Sequence, residues 1–256
     1  MEKEQAWIFF DIDGTLLYAR GAGRKAFRQA FEEALGWEQG VEHINFYGAT
    51  DLDVFRRIAA DRGEPSTPEM EKAFFERLGH HLDVHLAETP PELFPNIGKI
   101  IPELYATALP HSASRSFDDG SFDESEKNKN PGSSGWKLGI ITGNIEATAK
   151  AKLKYAGLLD YFDPQGFGCG CDHPDRIEIA RIALERAGNP KNAVLIGDTP
   201  RDVEAARANG MISIAVATGI FDVQALEKAG ADHVFADLTD RNRLLSVLAG
   251  SGGAGH

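Results

Sequence analysis

The chain has 256 residues, of which 42% are hydrophobic and 26% charged, and its formal net charge is −12. This hydrophobic content is enough for a proper core. The acidic balance argues against a nucleic-acid backbone as the main partner, because phosphate contacts need clustered Lys and Arg. With two cysteines a disulfide framework is not expected. The absence of a long apolar run or a signal-peptide core leads us to expect a cytoplasmic protein.

Short apolar runs predict the strands of a parallel sheet. The first, residues 6–10, is continuous and aromatic, as in a strand buried on both faces. Further runs occupy residues 137–141, 193–196 and 212–216, and helical patterns lie at residues 145–156, 176–187 and 201–209. Alternating strands and helices imply right-handed crossovers. We therefore predict a doubly wound α/β core made of residues 1–16 and about 97–247.

A helical region interrupts this core after the first strand. Apolar residues recur at helical spacing over residues 22–35, 51–62 and 68–86. Gly36 and Gly63 are expected to end the first two helices, and Thr67 and Pro68 to begin the third. The pattern predicts an all-α domain of residues 17–96 inserted into the core.

Two segments are predicted to be mobile. Residues 110–135 are rich in Ser, Asp, Asn, Lys and Gly, and this composition cannot bury enough apolar area to offset its ordering entropy. A turn of a few residues is typical at this place, between a helix and a core strand. We expect a disordered or mobile insertion, with a regulatory or partner-binding role as the alternative. The glycine-rich end, residues 248–256, is expected to be a flexible tail.

Two carboxylates, Asp11 and Asp13, follow the first strand in the run Asp-Ile-Asp-Gly-Thr. Ligands of open α/β sheets bind at the carboxyl ends of the strands. One carboxylate can attack phosphorus and form an aspartyl-phosphate. The other can protonate the leaving group and later accept a proton from water. The alternative is an exposed turn, since Asp-Gly is a common turn pair.

Groups that suit a phosphate follow later in the chain. Thr142-Gly143-Asn144 ends a predicted strand and offers a hydroxyl and backbone N–H groups, although a plain helix cap explains it equally well. Arg176 opens a helix and could neutralise a nucleophile and a phosphate together. Lys152 and Lys154, on the preceding helix, are expected to be solvated.

A second acidic pair, Asp198 and Asp202, follows the strand at residues 193–196. Mg²⁺ prefers oxygen ligands, often one or two carboxylates. The alternative is a helix cap by Asp198 with Asp202 in the first turn. The segment Cys169 to His173 contains soft ligands, but its spacing does not match the usual zinc sites, so a loop beside the active site is expected.

Together these places resemble the motifs of the haloacid dehalogenase-like superfamily, in their expected order and over almost the whole chain. The resemblance implies that Asp11 is the nucleophile and Asp13 the general acid and base. It implies phosphate binding by Thr142, Gly143, Asn144 and Arg176, where Arg stands in place of the more usual Lys. It implies Mg²⁺ as the cofactor, held by Asp11, Asp198 and the main-chain oxygen of Asp13, with Asp202 in support. The helical insert resembles the type 1 cap, which closes over the site and selects the substrate.

The segment Phe46 to Asp51 resembles the Gly-x-Thr-Asp segment of phosphoglycolate phosphatase-like members. Thr50 and Asp51 are therefore candidates for cap or substrate contacts, and the alternative is a helix start capped by Thr50. The basic side chains that could meet an anionic leaving group are Arg20, Arg24 and Arg56. The expected partner is a small phosphorylated metabolite such as phosphoglycolate, with no nucleic acid and no membrane, in a monomer or homodimer.

The resemblance covers several reactions, so the fold does not settle the function. Asp13 favours a magnesium-dependent phosphatase over a dehalogenase, because dehalogenation leaves no alkoxide to protonate. A sugar phosphomutase would need a cap that holds a bisphosphate intermediate, and no signature of such a cap is visible. A catalytically inactive binding or regulatory protein is the remaining alternative, although every motif carboxylate is present.

Overall fold

The computed structural model describes residues 5–38, 48–107 and 136–251. Six strands form a wholly parallel sheet, and two short strands form an antiparallel ribbon. The strands are β1 (Ala6–Phe10), β2 (Leu17–Tyr18), β3 (Glu92–Leu93), β4 (Trp136–Ile141), β5 (Phe167–Gly168), β6 (Ala193–Gly197), β7 (Ile212–Val216) and β8 (His233–Phe235). The main sheet has the order β5-β4-β1-β6-β7-β8. This order reverses direction at β1, and ligands bind at such a point in open α/β sheets.

Strand β1 is buried on both faces, as its continuous apolar run predicts. Ile8 and Phe10 pack into the larger hydrophobic core, whereas Trp7 and Phe9 pack into a second core. All four side chains are at most 1% exposed. Successive side chains of a strand point to opposite faces, so both faces of the sheet must be covered. The structure confirms the predicted doubly wound α/β class.

Helices of the core follow the strands closely. They are α4 (Ile97–Thr107), α5 (Glu146–Tyr155), α6 (Arg176–Arg186), α7 (Pro200–Ala208), α8 (Val223–Lys228) and α9 (Arg241–Ser251). The predicted helices at 145–156, 176–187 and 201–209 are confirmed within one residue at each end as α5, α6 and α7. Within the described ranges, no helix combines the length and apolarity that a membrane crossing requires.

The inserted helices are α1 (Ala22–Leu35), α2 (Asp51–Asp61) and α3 (Pro68–Glu88), and all lie in the chain between β1 and β4. Thr50 and Thr67 cap α2 and α3 through their side chains, which is the prediction for Thr67 and the alternative for Thr50. Packed rings hold the three helices together; Phe31 and Phe74 have centroids 4.2 Å apart, and Phe55 stacks on Phe31 at 5.7 Å. The chain leaves the core through β2 and returns to it through β3, and these two strands pair with each other in the antiparallel ribbon.

Of the two segments predicted to be mobile, the structure describes part of only one. The insertion at 110–135 lies outside the described residues. The predicted tail at 248–256 starts too early, because α9 continues to Ser251 and Leu248 is 2% exposed. Leu248 belongs to the larger hydrophobic core, and its burial stabilises the last turns despite the glycine that follows. The limits of the helical insert, 17–96, remain a prediction.

Candidate active site

The predicted site residues come from the carboxyl ends of adjacent strands. Asp11 follows β1, Thr142 follows β4, and Asp198 follows β6, with β1 between the other two. Parallel strands end at one edge of the sheet, which brings residues far apart in sequence into one place. All three residues line a cavity of about 720 Å³ that also touches the helical insert.

A cluster of buried carboxylates adjoins this cavity, and two of its members, Asp11 and Asp198, line it. Within the described part of the chain, oxygens of Asp11, Asp198 and Asp202 lie within 4.8 Å of one another, and each residue is at most 5% exposed. Burial, together with the negative charges of the neighbouring Asp11 and Asp202, raises the pKa of Asp198 to about 9. Burial likewise raises the pKa of Asp11 to about 6, against the lowering effect of Arg176. Ionised together, these acids require positive charge nearby.

Arg176 supplies part of that charge. One guanidinium nitrogen lies 2.7 Å from Asp11 Oδ1 and 2.6 Å from Asp202 Oδ1, and it also donates to the carbonyl of Ile141. Although burial opposes its charge, Asp11 and Asp202 together raise the pKa of Arg176. The guanidinium therefore stays charged and bridges two of the acids.

Asp202 has its two oxygens engaged in different tasks. Oδ2 accepts hydrogen bonds from the backbone N–H of Thr199 at 3.0 Å and from its hydroxyl at 2.7 Å, in a capping box at the start of α7. Oδ1 faces Arg176. The alternative of a helix cap by Asp198 is wrong, because Thr199 is the N-cap of α7. Asp202 does lie in the first turn, where it completes the capping box and also faces the arginine.

The acid cluster fits a divalent cation. When all three carboxylates are ionised, they meet one guanidinium, and the buried cluster then has a surplus of two negative charges. Glycines leave room around the carboxylate of Asp198, since a Cβ at Gly14 would lie 2.2 Å and one at Gly219 only 1.8 Å from its Oδ2. Oxygen ligands of this kind suit Mg²⁺. Asp11 and Asp198 would hold the ion, and the carbonyl of Asp13 is the predicted third protein ligand.

The side chain of Asp13 belongs to a different network. Its Oδ2 accepts from Lys152 Nζ at 2.5 Å and from Asn144 Nδ2 at 2.7 Å. The expectation that Lys152 is solvated is therefore wrong: it is 5% exposed, whereas the side chain of Lys154 is 58% exposed as expected. Lys152 lies on the face of α5 that carries Ala149, one turn earlier, and this helical spacing was the available signal.

Thr50 and Asp51 connect the insert to the core. Thr50 Oγ1 donates to the carbonyl of Pro174 at 3.2 Å. Asp51 Oδ2 accepts from the backbone N–H of Ile145 at 2.8 Å and from Thr148 Oγ1 at 3.2 Å, so it caps α5 from the other domain. Burial raises the pKa of Asp51 to about 6, although Lys152 lowers it. Asp51 also lines the cavity, whereas Thr50 makes its contacts with the loop before α6.

The remaining basic candidates differ in position. Arg24 lines the cavity. Arg20 pairs with Glu92 and Arg56 with Glu71, both as exposed arginines.

Three residues near the acids were missed from the sequence. Thr15 donates to Asp198 Oδ1 at 3.2 Å, and Thr218 donates to the carbonyl of Gly14 at 2.5 Å. Gly219 follows Thr218 and leaves the space beside Asp198 described above. Thr15 carries a weak sequence signal, because it belongs to the first motif, whereas the loop after β7 carries none.

The cysteine-containing loop has no role in the acid cluster. Asp172 accepts from the backbone N–H of Cys169 and pairs with Arg186, and Cys169 is buried while Cys171 is exposed. The loop precedes Arg176, so its bonds help to define where α6 begins.

Comparisons with known proteins agree with this geometry. The sequence matches the profile of haloacid dehalogenase-like hydrolases over residues 8–207 and a second, HAD-hydrolase-like profile over residues 174–241. Pyrophosphatase PpaX of Bacillus pumilus is 30% identical over 246 residues, which cover 94% of this chain and 95% of that protein. Phosphoglycolate phosphatase of Synechococcus elongatus is 31% identical over 111 residues, 43% of this chain and 52% of that protein.

A solved structure extends the likeness to the fold. CbbY from Rhodobacter sphaeroides, in complex with phosphate, superposes with a TM-score of 0.61 at 20% identity, covering 94% of this chain and 96% of that one. The first profile spans most of the chain, and the strands, the helical insert and the motif residues converge on one cavity. The protein is an enzyme of the haloacid dehalogenase-like hydrolase family.

Proposed function

We propose that the protein is a magnesium-dependent phosphatase that hydrolyses a small-molecule phosphate monoester through an aspartyl-phosphate on Asp11. The observation that carries the proposal is the buried cluster of Asp11, Asp198 and Asp202 around Arg176, at the carboxyl edge of the sheet. An acid cluster with surplus negative charge suits a divalent cation together with a transferring phosphoryl group.

Each step of the reaction has a residue to perform it. An oxygen of Asp11 attacks phosphorus, and the bond between phosphorus and the leaving oxygen breaks. Asp13 acts as the general acid: it gives a proton to that oxygen, which leaves as an alcohol. Asp13 then takes a proton from water, which attacks the phosphorus of the aspartyl-phosphate and frees Asp11.

Positive charge and donors hold the phosphate during both steps. Arg176 keeps Asp11 in place, and the Thr142 hydroxyl is available to a phosphate oxygen. Asp11 and Asp198 would hold Mg²⁺, which when bound would supply positive charge that neutralises the phosphate.

The cavity favours a leaving group with apolar surface. Its outer wall is lined by apolar side chains: Leu17, Tyr18, Ala19, Phe27, Leu78, Leu82, Leu93, Phe94, Pro95 and Ile220. Glu92 also lines the cavity, and it is paired with Arg20. Removing about 100 Å² of apolar leaving-group surface from water contributes about 2.5 kcal/mol, which corresponds to about 70-fold in affinity.

A small polyanion such as phosphoglycolate or pyrophosphate is the second candidate. The names of the relatives favour it, and Arg24 is a cation on the outer side of the cavity that could meet the second charge. The two candidates differ in the surface that the leaving group presents, so one substrate series separates them.

Hydrolysis of 4-nitrophenyl phosphate tests the reaction. We expect turnover that requires a divalent cation, stops on addition of EDTA, and falls by about 10⁴-fold or more in Asp11→Asn. Asp160→Asn, a change of the same chemistry at an exposed carboxylate, is the matched control and should be as active as the wild type. Near-wild-type activity of a folded Asp11→Asn protein would overturn the mechanism.

A second series tests the substrate class. Comparison of kcat/KM for 2-phosphoglycolate, pyrophosphate, phenyl phosphate and 1-naphthyl phosphate should rank the naphthyl ester first. A clear preference for phosphoglycolate or pyrophosphate would instead support the polyanion and assign Arg24 to its second charge.

A further inference from the structure

We propose that Lys152 and Asn144 are positioning residues that set the Asp13 carboxylate and the Thr142 hydroxyl for phosphoryl transfer. The proposal rests on the proposed function, in which Asp13 is the general acid and base. It adds two residues that the reaction itself does not require to touch the substrate.

Lys152 borders the cavity but is almost fully buried against the carboxylate that it holds. Its ammonium donates to Asp13 Oδ2 at 2.5 Å and to Asn144 Oδ1 at 2.6 Å, while its side chain is 6% exposed. The side chain of Asp13 is 44% exposed and lines the cavity. A buried ammonium is tolerated only when it is paired and hydrogen-bonded. The cation is thus held in place by Asp13 and Asn144, and the exposed part of the Asp13 carboxylate faces the cavity.

The lysine also decides which way the amide of Asn144 points. An ammonium donates hydrogen bonds and accepts none, so Lys152 can face only the amide oxygen. The amide nitrogen then points the other way and donates to Asp13 Oδ2 at 2.7 Å and to Thr142 Oγ1 at 2.8 Å. Lys152, Asn144 and Asp13 therefore form a closed ring of hydrogen bonds, with Thr142 attached to it.

This arrangement prepares two groups for the reaction. Lys152 and Asn144 both donate to Oδ2 of Asp13, which leaves Oδ1 to exchange a proton with the leaving group and with water. Thr142 Oγ1 accepts from the amide of Asn144, so its own hydrogen must point elsewhere, and a phosphate oxygen is the acceptor that the site would bring. Thr142 is fully buried, which limits competition from bulk water.

A purely structural role would have a different signature. Buried ion pairs can often be replaced by apolar groups of similar shape at little cost to stability. Correctly placed acid–base groups, in contrast, contribute about 10²- to 10⁴-fold to rate. The benefit of a general acid also depends on the leaving group, because a weakly basic oxygen leaves without a proton.

The test is the dependence of kcat/KM on the leaving group. We would compare the wild type with Lys152→Met, which keeps the length of the side chain and removes its charge, over aryl phosphates from phenyl to 2,4-dinitrophenyl. We expect kcat/KM of Lys152→Met to fall by about 100-fold for phenyl phosphate and by no more than about fivefold for the dinitrophenyl ester. Lys152→Arg should restore part of the loss.

Lys154→Met is the matched control. Lys154 lies on the same helix, two residues further on, with an exposed side chain that donates to Asp83. We expect its rates to match the wild type across the series. An equal loss for all esters in folded Lys152→Met would overturn the positioning role and leave a structural one.

A double-mutant cycle identifies the group through which Lys152 acts. In an Asp13→Asn background, the further change Lys152→Met should cost less than threefold on phenyl phosphate, because the carboxylate that it positions is already lost. A full additional loss would overturn the proposal. If the wild-type protein hydrolyses none of the esters in the presence of Mg²⁺, the proposed function fails, and that result is distinct from either outcome above.

Discussion

The core side and the cap side of the cavity hold their side chains in place by different forces. On the core side, Asp11 and Asp202 are tied to Arg176, and Asp13 is tied to Lys152, by short ion pairs between buried or partly buried groups. On the cap side, residues of the insert together with Ile220 of the loop after β7 form a mostly apolar wall, in which Tyr18 and Ile220 are 58% and 52% exposed. Charged partners specify direction as well as distance, whereas apolar contacts specify mainly size. We therefore expect substitutions on the core side to change the rate, and substitutions on the cap side to change which substrate binds.

The largest effect is expected at Arg176. Arg176→Met leaves two buried carboxylates without their cation, so we expect kcat/KM to fall by about 10³-fold and stability to fall by about 3 kcal/mol or more. Thermal unfolding with and without Mg²⁺ should show that the ion recovers part of the lost stability.

Arg181→Met is the control for that substitution. Arg181 lies on the same helix and pairs with Glu178 and Glu185 at the surface, where ion pairs contribute little. If Arg181→Met loses as much kcat/KM and stability as Arg176→Met, the buried ion pairs of the core side have no special role in the rate.

The next effect concerns the space around Asp198. Gly219→Ala would place a Cβ 1.8 Å from Asp198 Oδ2, so the carboxylate must move. We expect the affinity for Mg²⁺ to fall by about 10- to 100-fold, as for other changes next to a metal ligand. Titration of activity with Mg²⁺ measures it, and Gly250→Ala, whose Cβ would meet nothing within 4 Å, is the control. An unchanged affinity would remove Asp198 from the ion's ligands.

A smaller effect is expected on the cap side. Tyr18→Ser and Ile220→Ser should each raise KM for 1-naphthyl phosphate by about 10-fold, at an unchanged kcat, because about 50 Å² of apolar contact is lost. Val84→Ser, at a similarly exposed apolar residue away from the cavity, should leave both constants unchanged. A fall in kcat with constant KM would place these residues with the catalytic groups.

The smallest effect concerns the contact between the two sides. Burial raises the pKa of Asp51 to about 6, above the ordinary value of 3.8. The folded protein then binds a proton more tightly than the unfolded chain, so this contribution to stability is present below pH 4 and is lost as the pH rises through 6.

Asp51→Asn removes this titration. We expect the stability of Asp51→Asn relative to the wild type to improve by on the order of 1–2 kcal/mol between pH 4 and pH 7 in urea unfolding, after allowance for partial exposure. The other buried acids titrate in both proteins and cancel. Asp53→Asn, two residues along the helix, is the control, and an equal trend in both variants would contradict the assignment to Asp51.

Much of the fold and the acid cluster could be predicted from the chain. Continuous apolar runs predicted β1, β4, β6 and β7, and helical spacing predicted α1 to α3 and α5 to α7. The short strands β2, β3, β5 and β8 were missed, because two or three residues are too few to show a period. The strand-end positions of Asp11 and Asp198 predicted their meeting, since parallel strands end at one edge.

Residues whose role depends on a distant neighbour were harder to place. Lys152 looked like an exposed helix lysine, and only the loop after β1, 139 residues earlier, gives it a buried partner. Asp51 is a candidate cap or substrate contact from the sequence and lines the cavity, but the sequence did not show that its hydrogen bonds go to α5, 94 and 97 residues later. Neither partner is visible in local spacing.

The sequence by itself determined the α/β class, the helical insert and the order of the acidic motifs, because hydrophobic periodicity and strand ends are local properties. The tertiary structure alone decided that Lys152 is buried against Asp13, that Asp51 caps a core helix, and that Gly219 makes room for Asp198. Each of these depends on distances between segments that only packing brings together, and at such distances an ångström decides between a hydrogen bond and a clash.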